Sequence, residues 1–441
     1  MEFEIKDGVA IIPEGVEVIY EGTFSDYTEL TGIVMPQSLK KIDEFAFDGC
    51  KNLTSIEIPQ GVTEIGRDAF YNCTGLINIV IPKSVTKVGC SEFRSIGSLF
   101  SGCVGLTRIV VEEGNEKYDS RNNCNAIIET GNNTLIAGCC STIIPEDIEV
   151  IKDRAFACCE ELTDIIIPQN VRKIGKSAFE DCKNLKSVVI PQSVTEIGEY
   201  AFSDCRELTD IIIPKSVKTI GNSVLRGCKR LVKIVVEEGN ERYESPNNCN
   251  AIVDKENKTL VAGCSASIIP DGVEIIGYGA FMGNQELVNI VLPNSIRKID
   301  GYAFESTGLK EIIIPECVVE IYDGAFKQCN SLTSIIIPET VEELSTSAFR
   351  NCESLKSIEI KGKMKLYDGR HGRAFCNCTS LETIIFHDCV TKMSPSEFMY
   401  CNAIKSIYVP AKKVEYYQKR LDERLHPFII EMEPVRKTKK K

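Results

Sequence analysis

Residues 185–207 read LKSVVIPQSVTEIGEYAFSDCRE, and the spacing of apolar residues inside this stretch decides the fold. In LKSVVIP the alternation sends Val188 and Ile190 to one side and Ser187 and Val189 to the other, the period-two pattern of a short strand. Pro191 ends that strand, where its missing N–H costs least. Val194 and Ile197 continue the inner wall, and Gly198 permits a turn. Ala201 and Phe202 open a short helical turn whose ring fills the interior. Cys205 and Leu208 close the unit and start the next strand. One such unit cannot bury its apolar side alone, so the pattern predicts folding by stacking of neighbouring units.

The unit returns along the chain. Prolines that follow an apolar triplet fall at Pro36, Pro59 and Pro82, then at Pro145, Pro168, Pro191 and Pro214, then at Pro270, Pro293, Pro315 and Pro338. Within each group the step is about 23 residues, with a single step of 22. A fixed period in this range points to leucine-rich repeats. About seventeen strand turns fit between Ile11 and Val409, which at about 4.8 Å per strand extends a parallel sheet over roughly 80 Å.

Two turns carry a longer insertion, 109–145 and 234–270. They align without gaps at an offset of 125, with about 25 of 37 positions identical, the mark of a duplicated block of about five turns. Inside them NAII-ETGNN-TLIAGC and NAIV-DKENK-TLVAGC read as β-hairpins around polar turns, expected to project from one rim. The chain has 21 cysteines. Eleven of the repeat positions hold one: Cys50, Cys73, Cys103, Cys159, Cys182, Cys205, Cys228, Cys329, Cys352, Cys378 and Cys401. Each occupies the same inward site, where free cysteine behaves as a small hydrophobe, and such a ladder of thiols fits a reducing compartment.

The unit I-P-x-S-V-x-x-I-G-x-x-A-F-x-x-C-x-x-L, with inserts of the form GN-x-x-Y-x-S-x-x-NCNAI, resembles the BspA-like leucine-rich repeats of bacteria and some protists. The resemblance covers about residue 9 to about 410 and recurs more than ten times. It implies an α/β repeat solenoid, a curved right-handed superhelix with a parallel sheet on the concave face and short helical turns on the convex side. It also implies adhesion and protein–protein recognition, often at the cell surface, and it supplies no catalytic residue.

The expected organisation is a solenoid over 1–410 with hairpin inserts near 112–140 and 237–265, a C-terminal helical cap over 411–433, and a disordered basic tail over 434–441. At the front, Glu2–Ile12 reads as a hairpin or strand covering the first turn. At the back, Val414, Tyr417 and Leu421 recur at helical spacing, so a capping helix over about 412–425 is expected. The tail Arg436–Lys441 (RKTKKK) reads as a solvated terminus.

Across 441 residues the formal net charge is -12, with 43% hydrophobic and 26% charged residues, close to soluble globular averages. That charge argues against nucleic acid and anionic membrane partners. No apolar run reaches the roughly 18 residues of a membrane-spanning helix. The opening MEFEIKDGVAIIPEG lacks the basic stretch and apolar core of a signal peptide. As it stands, the sequence is expected to be cytoplasmic, whereas the family resemblance implies the cell surface.

Chemistry is sparse. The chain holds three histidines, His371, His387 and His426, and no phosphate-cradling or metalloprotease motif. His371, Cys376, Cys378, His387 and Cys389 cluster in sequence, and zinc takes such ligands, but Cys378 belongs to the buried ladder and the spacing fits no familiar zinc motif. The expectation is therefore no enzyme, no metal and no cofactor.

The outward strand position says more. It carries Val80, Val110, Ile143, Ile166, Val189, Ile212, Val235, Ile268, Val291, Ile313 and Ile336, with Glu57 and Glu359 interrupting near either end. A polar column runs beside it: Asp164, Ser187, Asp210, Lys233 and Asn289. Branched residues suit any strand, and that alone accounts for such a column. The competing reading is a binding groove or self-association surface, because monomers seldom expose so long an apolar strip. The expected contact set is Asp164, Ile166, Ser187, Val189, Asp210, Ile212, Lys233 and Val235, for a protein or peptide ligand of a monomer or weak homo-oligomer. Surface adhesion and a self-associating structural solenoid are the alternatives.

Overall fold

The computed structural model describes residues 4–90, 98–366 and 373–433. His371 and the basic run Arg436–Lys441 lie outside the described residues. The chain divides into two compact units, Met1–Leu231 with Glu237–Glu241, and Val232–Val236 with Arg242–Lys441. Among the described residues the fold is a parallel-strand solenoid of about 18 turns, with only 4% helical.

In the turn quoted above, Val188, Ile190, Val194, Ile197, Ala201, Phe202, Cys205 and Leu208 are all buried. Ser187–Val189 pairs in parallel with Asp164–Ile166, placing Ser187 opposite Asp164 and Val189 opposite Ile166. A second ladder, absent from the sequence reading, runs through the inner-wall position. Glu196–Ile197 pairs with Lys173–Ile174 on one side and Thr219–Ile220 on the other. The second unit repeats it through Lys298–Ile299, Glu320–Ile321 and Glu343–Leu344. Each of these strands is two residues long, an inward aliphatic residue and the polar residue before it.

The segment around Ala201 and Phe202, expected as a helical turn, is a pair of tight turns instead. Tyr200 and Asp204 have φ of 56° and 55°, and the same two positions are left-handed at Ser177 and Asp181, Asp68 and Asn72, and Ser347 and Asn351. A helix needs consecutive right-handed residues, so a left-handed residue at every fourth position prevents one from propagating. The backbone is satisfied between turns. The Phe179 N–H donates to the Ala201 carbonyl at 2.8 Å, and the Phe202 N–H to the Val224 carbonyl at 3.0 Å.

This geometry sets the phenylalanine rings face to face. Phe156 and Phe179 lie 5.1 Å apart and Phe179 and Phe202 5.5 Å, the latter pair with parallel planes. In the second unit one stack runs from Phe281 through Phe304, Phe326, Phe349 and Phe375 to Phe398. The cysteine below each ring also makes a polar contact. The Cys205 thiol donates to the Phe179 carbonyl at 3.2 Å, and the Cys228 thiol to the Phe202 carbonyl at 3.1 Å. At the same position Thr307 bonds within its own turn, its hydroxyl donating to the Phe304 carbonyl at 2.9 Å, while the Cys329 thiol reaches that carbonyl from the next turn at 3.1 Å.

The inserts do not project from the rim as expected. Ala126–Glu129 and Thr134–Gly138 form an antiparallel hairpin whose second strand pairs in parallel with Val150–Ile151. The hairpin therefore begins the second ladder of the following turns, and Ala126, Ile127, Ile128 and Leu135 are fully buried beneath it. Thr259–Gly263 makes the same junction with Ile275–Ile276 in the second unit. Gly138 takes the place of a ring: its N–H donates to the Ala155 carbonyl at 2.9 Å, and a Cβ there would lie 2.2 Å from Cε1 of Phe156.

At the front, Glu4–Lys6 pairs antiparallel with Val9–Ile11, which pairs in parallel with Gly32–Val34. At the back, the expected helix is confined to Val414–Gln418, followed by a 3-10 segment Glu423–Phe428 and a strand Ile429–Glu431. That strand pairs in parallel with Ser406–Val409, so the end of the chain adds another rung to the ladder. Pro427 stands inside the segment where a longer helix would run. Tyr417 is fully buried with its ring 4.7 Å from that of Phe386, and its hydroxyl donates to the Asp388 carbonyl at 2.6 Å.

Substituting Gly138→Ala is expected to overpack the seat of Phe156 and cost about 1–3 kcal/mol or more. Gly131→Ala, with nothing within 4 Å of the new Cβ, is expected to be neutral. Urea unfolding of both variants checks this, and equal midpoints would contradict the packing described.

The candidate recognition face

The strand that buries Val188 and Ile190 must present Val189 outward, and its parallel register with Asp164–Ile166 places Ile166 beside it. In the first unit Ile143, Ile166, Val189 and Ile212 are 75%, 81%, 72% and 48% exposed. Beside them Asp164, Ser187 and Asp210 are exposed in the parallel column. The Thr163 hydroxyl donates to Asp164 at 2.8 Å and the Thr209 hydroxyl to Asp210 at 2.9 Å, which steadies both carboxylates. They lie two rungs apart, on the order of 10 Å, with Ser187 between.

Six of the eight expected contact residues thus belong to the first unit. Lys233 and Val235 belong to the second. Val235 is half-buried, as is Val110 at the matching position of the first insert, because there the insert folds its own strand beside the ladder. The second unit has its own exposed run, Ile268, Val291, Ile313 and Ile336, with Asn289 exposed alongside.

The two glutamates that interrupt the column differ. Glu359 meets the ring Nε2 of His387 at 2.8 Å. Glu57 instead lines a recess of about 430 Å³ with Gln37, Gln60, Asn78 and Glu112. Sequence reasoning passed over Glu112 and its counterpart Glu237. The Glu112 carboxylate accepts from Gln60 Nε2 at 2.7 Å and from the Lys83 N–H at 3.1 Å. Glu237 accepts from Gln192 and from the Lys215 N–H in the same way. Both stand in the EEGN tetrapeptide that opens each insert, and that duplication was the available signal.

Of the His/Cys run of the sequence, His371 lies outside the described residues and the other four are described. Cys376 and Cys378 are buried, Cys389 is half-buried, and His387 is engaged by Glu359 on the strand face. Among the described residues no group of three or more His, Cys, Asp or Glu side chains is placed to hold a metal ion. The twenty cysteines whose side chains are described are free thiols. Burial pushes Cys182 and Cys205 well above the ordinary thiol range, and Cys124 up to about 11, which keeps them protonated and poorly nucleophilic at neutral pH.

A stacked solenoid with cysteine and phenylalanine ladders and an exposed strand face defines a leucine-rich repeat protein. The chain belongs to the family with BspA type leucine-rich repeats, whose model matches residues 9–125, 137–250, 262–369 and 369–421. The chain is similar to a leucine-rich cell surface protein from Faecalibacterium prausnitzii A2-165. That likeness has 25% identity, covers 92% of each chain and has a TM-score of 0.52. It is similar in fold to the pneumococcal vaccine antigen PcpA, at 19% identity over 98% of this chain and 96% of that one, with a TM-score of 0.57. No curated relative matches. Among the described residues no helix is long and apolar enough to cross a membrane.

One buried carboxyl bears on stability. Glu397 replaces the alanine that precedes the ring in other turns and is fully buried. Its Oε2 accepts the Ala374 N–H at 2.7 Å, while Oε1 has no partner among the described residues. Burial pushes its acid up to about 7. A carboxyl raised in the folded state stabilises below its unfolded value and loses that contribution as pH rises through about 7. Glu397→Gln is therefore expected to match the parent near pH 4 and to be more stable at pH 8, by up to about 3 kcal/mol. Thermal unfolding across that range checks it, and a gap independent of pH would refute the assignment.

Proposed function

We propose that this protein is a non-enzymatic recognition scaffold that binds a protein or peptide partner along the exposed strand face. The observation that carries the reading is the first unit's run of Ile143, Ile166, Val189 and Ile212, four large apolar side chains left in solvent on successive rungs. Soluble proteins seldom leave contiguous apolar surface uncovered without a use for it. Asp164, Ser187 and Asp210 alongside supply directional polar contacts that an apolar strip alone lacks. Binding of this kind concentrates its free energy in a few central side chains. Ile166 and Val189 are therefore the central residues of the proposed contact.

Surface adhesion is the second reading, and the likeness to a leucine-rich cell surface protein of Faecalibacterium prausnitzii favours it. Mild protease shaving of intact producing cells separates the two locations. Loss of the chain while a cytosolic control survives supports surface adhesion, and protection until lysis supports a scaffold inside the cell.

The double variant Ile166→Lys/Val189→Lys is expected to keep the parent's stability within about 0.5 kcal/mol per site, since both side chains are exposed. It is also expected to lose at least about tenfold in affinity for any partner of this face. Affinity capture with parent and variant, followed by titration of the captured protein, checks this. Identical capture by both overturns the reading. Light scattering on the same pair tests self-association, which predicts a parent oligomer that the variant dissolves.

A further inference from the structure

The duplicated inserts offer an internal comparison. In the first, Arg121 is clamped: its Nε meets Asp119 at 3.0 Å, its Nη2 meets Asp119 at 2.8 Å, and its Nη1 meets Asn133 at 3.1 Å and also Asp147. At the offset of 125 the second insert has Glu244 for Asp119, Pro246 for Arg121, Lys258 for Asn133 and Gly272 for Asp147. Removing the guanidinium and one carboxylate leaves an open recess of about 360 Å³, lined by Glu244, Pro246, Asp271 and Gly272 and floored by Val253.

Charges of both signs line that recess, and most are already matched. Asp254 is held by Arg242 at 3.0 Å, and Lys258 by Glu274 at 2.6 Å. Lys255 also stands at its wall. Among the described residues the side chains of Glu244 and Asp271 make no hydrogen bond or ion pair, and Glu244 occupies the position that grips Arg121 in the first insert. We propose that this recess takes an arginine side chain from a partner protein, in the place that Arg121 fills from within the chain at the first insert. A planar guanidinium suits the site because it can meet the Glu244 carboxylate through two parallel N–H donors while its flat face lies on Pro246 and Val253.

The test uses the full chain and the tripeptide acetyl-Gly-Arg-Gly-amide, observed by saturation-transfer NMR. Saturable transfer to the arginine side chain is expected, and none to the isosteric citrulline peptide. Pro246→Arg, which returns a guanidinium to the position of Arg121 beside Glu244, is expected to abolish the transfer. Glu244→Gln, which leaves packing unchanged, is expected to weaken it about tenfold. Glu286→Gln, at an exposed carboxylate away from the recess, is expected to leave it unchanged. Absence of saturable transfer, equal transfer in the Glu244→Gln protein, or stronger transfer to acetyl-Gly-Glu-Gly-amide would each overturn the proposal.

Discussion

A turn of this protein has one apolar side and no second layer to cover it, so the interior is made by the turn next door. The contact that enforces this is the junction at the Ala-Phe pair. The phenylalanine N–H reaches the carbonyl one turn on, its ring lies on the neighbouring ring, and its own carbonyl takes the next turn's thiol proton. Hydrogen bonding and ring stacking demand the same rise between turns, so strands on both ladders fall into register without long hairpins or helices. The cysteine column follows from this geometry. The site is too small for leucine and faces a carbonyl with a lone pair to spare, so a small side chain with a weak donor fits it. Thr307, small and hydroxylic at the same position, turns instead to the Phe304 carbonyl of its own turn.

The inserts show how the array tolerates interruption. A hairpin cannot offer a ring to the stack, so Gly138 and Gly263 present bare backbone on which Phe156 and Phe281 come to lie. Each insert thereby seats a new ring stack, while its second strand begins the second ladder of the turns that follow. Duplication then allowed the two inserts to diverge at their edges and not at their seats. Gly138, its hairpin partner Ala126 and the buried Ile127 are all retained at the offset of 125, whereas Arg121, Asn133 and Asp147 are not.

The strand face is the complement of this core. Register fixes which side chains leave the interior, but nothing in the packing selects isoleucine or valine for the outward position, where 81% of Ile166 is in water. Strand propensity accounts for branched side chains in general. It does not account for the carboxylates steadied beside them by Thr163 and Thr209, and the recognition reading draws together both features.

Period and alternation are local properties of the chain, and from them the sequence by itself determined the solenoid, the inward residues of each turn, the outward column and the duplicated inserts. These follow because a two-residue alternation and a repeat of about 23 residues leave few ways to bury the same positions. What the tertiary structure decided depends on contacts between turns. The left-handed residues at Tyr200 and Asp204 replace a helical turn, since their conformation is set by the neighbours that take up their hydrogen bonds. The second ladder is invisible in two residues per turn. The hairpins lie in the sheet because their buried faces find a partner strand there. The closing segment after Val414 adds a strand because an open sheet edge holds unpaired backbone groups that Ile429–Glu431 can satisfy. The division of Lys233 and Val235 from the other expected contact residues likewise depends on where compact units form, which no repeat motif records.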